Sequence, residues 1–128
     1  MKIIVAIFLS AFVIGIGILF FGTRNTESEV VENSNVDMEN GVQVVKITAK
    51  GGYTPSDSIA KADVKTVLHV VTRGTFDCSS ALTIPAIGYR ANLTPTGVTK
   101  IEIPPQKPGT VLQGTCSMGM YNFAINFK

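Results

Sequence analysis

The chain's capacity for chemistry lies in its sulfur atoms. Cys116, Met118 and Met120 fall within five residues, in Gly114-Thr115-Cys116-Ser117-Met118-Gly119-Met120-Tyr121. A second cysteine, Cys78, sits upstream in Thr75-Phe76-Asp77-Cys78-Ser79-Ser80. Thiolates and thioethers are soft donors, and together they select Cu(I) over Zn, Mg or Ca. Gly119 lets the segment fold back, so that both thioethers can face one point. Spacing alone supports a second reading. A Cys78–Cys116 disulfide would close a loop of about 38 residues and stabilise a small domain by roughly 3–4 kcal/mol. Met118 and Met120 would then be ordinary packing.

The remaining composition excludes other chemistry. There is one His and no Trp, and five of the nine acids lie between Thr23 and Gly41. No Ser/His/Asp triad, phosphate loop or carboxylate pair is present, so the expectation is a binding protein, not an enzyme, with no small-molecule substrate. The basic residues beyond Val42 are scattered, without the stripe that nucleic-acid binding requires. His69 lies between Leu68 and Val70. If those two face inward, His69 faces outward with Val67 and Val71 and is no ligand. Asp77 is expected to cap a turn, and Phe76 and Tyr121 to pack in the core.

These residues need a scaffold, and the chain divides into three parts. Met1-Lys2 precedes 20 uncharged residues, Ile3 to Gly22, which as a helix would span about 30 Å of hydrocarbon. No small-x-small cleavage site or lipid-accepting Cys follows, so residues 1–22 are expected to be an uncleaved transmembrane anchor, with a removed secretory signal as the alternative. Its positive end would lie inside and the remainder outside the cell membrane. Residues 23–41 are polar and acidic and read as a flexible linker holding the domain about 25 Å from the bilayer.

Residues 42–128 alternate apolar and polar positions between turn signals, the pattern of an all-β domain. Strands are expected at Val42 to Ala49, Ser58 to Lys61, Lys65 to Arg73, Gly97 to Ile103, Thr110 to Cys116 and Asn122 to Phe127. Tyr53 to Ser56 reads as a turn and Leu82 to Tyr89 as irregular, because it carries Pro85 and Gly88. Short strands at this spacing predict a Greek-key β-sandwich or barrel, with no helix beyond the anchor.

Gly52-Tyr53-x-Pro55, Cys78-Ser79-Ser80, Ile84-Pro85-x-x-Gly88, Pro105-x-Lys107-Pro108-Gly109 and Cys116-Ser-Met118-Gly119-Met120-Tyr121 occur in that order. The set resembles the cupredoxins, in particular the short cupredoxin-like domains found beside bacterial heavy-metal transporters. Its order is also similar to the copper domain of cytochrome oxidase subunit II. The resemblance covers about residues 44–128. It implies copper held by Cys78, in the place of the family's first His, and by Cys116, in the place of the loop thiolate. Met120 then falls where the oxidase domain has its second Cys, and Met118 is a further or alternative ligand. Blue copper uses two imidazoles and one thiolate, a set this chain lacks. The resemblance therefore implies Cu(I) carriage in copper trafficking, homeostasis or resistance, with a partner in copper transport or an oxidase. Electron transfer is the first alternative, and a metal-free module held by a Cys78–Cys116 disulfide the second.

Overall fold

The computed structural model describes residues 35–128, so the expected anchor lies outside the described residues, as do residues 23–34 of the linker. Period-two alternation of Val, Ile and Leu builds ten strands: β1 (Val36–Glu39), β2 (Val42–Ala49), β3 (Tyr53–Thr54), β4 (Asp57–Ala60), β5 (Thr66–Thr72), β6 (Ala81–Ile84), β7 (Tyr89–Asn92), β8 (Gly97–Ile103), β9 (Val111–Cys116) and β10 (Asn122–Phe127). One sheet has the order β1-β2-β5-β8, with β3 beside β2, and the other has β4-β10-β9-β6-β7. Val45, Ile47, Leu68, Val70, Ile101 and Ile103 from the first sheet meet Leu82, Ile84, Leu112, Phe123, Ile125 and Phe127 from the second. Alternate residues of each strand thus fill one core between two layers. The expected all-β sandwich is present.

Three differences from the sequence reading matter. β1 lies inside the segment read as linker. It forms a hairpin with β2, pairing Val36 with Val45 and Glu39 with Val42. The turn is Asn40-Gly41, both at positive φ, which is the Asn-Gly signature of a tight hairpin. Met38 therefore belongs to the domain, half exposed on β1, and the domain's methionines are not confined to the sulfur loop. Second, Leu82 to Tyr89 is only partly irregular. β6 runs to Ile84, a 3-10 turn spans Pro85–Ile87, and left-handed Gly88 leads into β7. Another 3-10 turn spans Cys78–Ser80. Third, β2–β5 and β4–β10 are parallel pairs. Alternation dictates which side chains face inward but carries no information on strand direction.

Among the described residues, strand pairing brings the two cysteines together. β6 begins directly after the Cys78–Ser80 turn and pairs antiparallel with the end of β9, Leu82 opposite Cys116. Ser117 N–H donates to the Ala81 carbonyl at 2.9 Å. The turn carrying Cys78 and the loop leaving Cys116 consequently meet at one end of the sandwich.

Candidate metal centre

Cys116 is the last residue of β9 and is buried, 1% exposed, whereas Cys78 is partly exposed. No disulfide joins them in the structure. The Cys78 thiol donates a hydrogen bond to the Cys116 sulfur, which raises the Cys78 pKa above its ordinary value. At Cys116, burial disfavours the thiolate. The Cys78 thiol and the backbone N–H groups of Tyr121, Met118 and Met120 outweigh it and bring the pKa down to about 7. The pair is thus asymmetric: the thiolate is disfavoured at Cys78 and favoured at Cys116.

The β9–β10 loop closes by backbone bonds. Cys116 N–H donates to the Tyr121 carbonyl at 3.0 Å, and Gly119 N–H to the Cys116 carbonyl at 2.9 Å. Gly119 takes φ +72° with open space around it, so its role is conformational. Met118 and Met120 are 77% and 64% exposed. The reading of them as core packing is therefore overturned, because neither thioether is in the core. Phe76 is likewise not a core residue, at 82% exposed. Tyr121 is partly buried and packs against the core, with its ring beside Gly52.

The Cys78 side is tied by side chains. Asp77 caps the turn as expected, accepting from Ser79 N–H at 2.8 Å and from the Ser79 hydroxyl. Its second oxygen accepts from Gly51 N–H at 2.9 Å. These bonds, led by the Ser79 hydroxyl, hold the Asp77 carboxyl below the usual carboxylate range. Tyr53, buried, donates its phenol to the Ser79 carbonyl at 3.0 Å. Burial first, then Cys116, Cys78 and Asp77, push the Tyr53 pKa up, so it remains a donor. Sequence reasoning missed Tyr53 and Ser79 as supports. The Gly52-Tyr53 motif was visible, but no residue-type signal announces a phenol bonded to a carbonyl 26 positions away.

His69 sits on the outer face of β5, between Lys46 and Lys100 in register. Burial and these lysines lower its pKa. Among the described residues no three His, Cys, Asp or Glu side chains form a group able to hold a metal. Any metal centre at the cysteine pair would therefore draw further ligands from other donors, and the thioethers of Met118 and Met120 follow Cys116 by two and four residues. Two thiols, one with its thiolate favoured by several N–H donors, suit a soft monovalent ion.

Comparison with known proteins places this architecture. The sequence profile of the cupredoxin-like domain matches residues 12–125. The chain belongs to the cupredoxin-like domain family. One similar solved structure is the metal-binding domain, with Cu(I), of the Cu(I)-exporting P-type ATPase CopA of Streptococcus pneumoniae D39. It is 19% identical with a TM-score of 0.65, over 73% of this chain and 92% of that one. Another is a copper-binding protein in its apo form, 24% identical with a TM-score of 0.65, over 73% of this chain and 94% of that one. No curated protein matches the chain.

Proposed function

We propose that this chain is a membrane-anchored, extracytoplasmic Cu(I)-binding protein that holds copper and passes it to a protein partner, a copper transporter or an oxidase. It binds cargo and catalyses no reaction. The observation that carries this reading is the meeting of the Cys78 turn and Cys116, through the Leu82–Cys116 pairing and the Ser117–Ala81 bond, at the base of the loop bearing Met118 and Met120. Cys78, Cys116 and Met120 are the ligands, with Met118 as a further or exchanging one. A set of thiolate and thioether favours the monovalent ion and disfavours cycling to Cu(II), which imidazoles would support. The one His is on the outer face of a sheet. Copper-binding proteins of the same fold support the choice of metal. Exposed thioethers suit handover, because a partner's sulfur can displace them one at a time while the thiolates hold.

The test is a titration of the full chain in detergent, reduced and without oxygen, with Cu(I) against a competing chelator. One equivalent should bind tightly, be lost in Cys116→Ser and survive in His69→Ala. Failure to compete at any copper level, with no free thiol detected after denaturation, would instead establish the disulfide-held module.

A further inference from the structure

The Cys78 side of the site is fixed far more firmly than a solvent-facing turn requires. Ser79 is fully buried. Its N–H and hydroxyl both go to Asp77 and its carbonyl accepts from Tyr53. Each support is itself anchored to a different part of the sandwich. Tyr53 pairs with Ala49 across β2–β3 and meets Phe123 edge-to-face, with ring centroids 5.1 Å apart. Asp77 holds the Gly51 amide. The adjacent Gly52 seats the Tyr121 ring, whose carbon lies 3.5 Å from where a Cβ would stand. Tyr121 ends the loop that starts at Cys116. The turn Lys50 to Gly52 therefore touches both halves of the site, the Cys78 turn through Asp77 and the sulfur loop through Tyr121. Leu93 N–H, donating to the Ser80 carbonyl at 2.7 Å, extends the β6–β7 pairing onto the end of the Cys78 turn.

We infer that Tyr53 and Asp77 are positioning residues that preset the sulfur pair: acting through Ser79, they lock the Cys78 turn opposite Cys116 before any metal arrives, and the Gly51-Gly52 turn braces both site loops at one spacing. The inference rests on the copper-binding reading above. A preset pair loses little conformational entropy on binding, so the supports act on affinity without touching the ion. The Met118–Met120 segment has no comparable side-chain ties among the described hydrogen bonds, so order is concentrated on the cysteine side.

The experiment compares the full chain with Tyr53→Phe, Asp77→Ala and Asp77→Asn. Tyr53→Phe keeps the ring on Phe123 and removes only the bond to Ser79. Asp77 is exposed, so its variants leave the core intact. Two quantities are read. One is Cu(I) affinity by chelator competition. The other, in the metal-free chain, is the rate at which dibromobimane bridges Cys78 and Cys116 into its fluorescent product. Tyr53→Phe should weaken Cu(I) binding about tenfold, the size of one lost hydrogen bond; Asp77→Ala, which removes three, should weaken it at least as much, and both should slow bridging. Asp77→Asn, which keeps one acceptor oxygen, should recover part of both. Unchanged affinity and bridging in Tyr53→Phe and Asp77→Ala, with the unaltered chain binding Cu(I), would overturn the inference and leave the function standing. An unaltered chain that binds no Cu(I) would overturn both.

Discussion

Gly114 and Phe123 face each other as register partners across β9 and β10, and the Phe123 ring fills the space a Cβ at position 114 would need. The same ring meets Tyr53, and Tyr53 holds the turn that carries Cys78. A missing side chain two residues before Cys116 thus makes room for the packing that orients Cys78.

Gly114→Ala should therefore strike both stability and the site. The contact is with a fully buried ring, so relief requires Phe123 to move, at a cost of about 1–3 kcal/mol or more. Urea unfolding monitored by far-ultraviolet circular dichroism should show a lower midpoint. An unchanged midpoint would mean that the ring has free space to yield into.

The hairpin strand β1 predicts where the domain begins. A fragment starting at Asn35 retains the Asn35 bonds to Ser58 and Lys46 and the whole β1–β2 pairing. One starting at Val42 loses them and uncovers Val44, which is only 4% exposed. The longer fragment should unfold at the higher denaturant concentration, and equal midpoints would show that β1 contributes nothing.

Much of this architecture was legible. The expected bounds of Val42–Ala49, Gly97–Ile103 and Asn122–Phe127 coincide with β2, β8 and β10, because each is a β-branched or alternating run bordered on at least one side by turn residues. β1 was not recognised because Asp37 and Glu39 gave it the polarity of the linker, although Asn40-Gly41 announced a hairpin. The sulfur atoms were legible as chemistry from residue type alone. Their meeting was not, because it depends on Leu82 pairing with Cys116 across a sheet whose strand order no local pattern encodes. The Asp77 cap was readable from its position before a turn. Its reach to Gly51 was not, because that turn is distant in sequence.

The methionines should separate binding from folding. Met118 and Met120 are largely exposed, so Met118→Ala with Met120→Ala should change folding stability by no more than about 0.5 kcal/mol. The same double variant should weaken Cu(I) binding and alter its transfer rate to a competing chelator. Loss of stability with unchanged copper binding would assign the thioethers to structure.

Proton binding at the pair has a definite sign. Cys116 has its pKa lowered to about 7, whereas that of Cys78 is raised. In the metal-free chain, ultraviolet thiolate absorbance should rise in two separate steps, the first centred near pH 7 and the second above the ordinary thiol value of 9.0. Because the folded Cys116 pKa lies below its unfolded one, its stabilising contribution is complete above pH 9 and is lost as pH falls through about 7. Cu(I) affinity should decline over the same fall, as protons compete for the sulfur. A single step at the ordinary thiol value, in Cys116→Ser and the unaltered chain alike, would contradict the asymmetry.

An all-sulfur Cu(I) site is tested most directly by X-ray absorption at the copper edge of the loaded full chain. The predicted result is monovalent copper with a first shell of sulfur only, reduced in sulfur number by Cys116→Ser. Divalent copper, or a first shell containing nitrogen or oxygen from the protein, would contradict it.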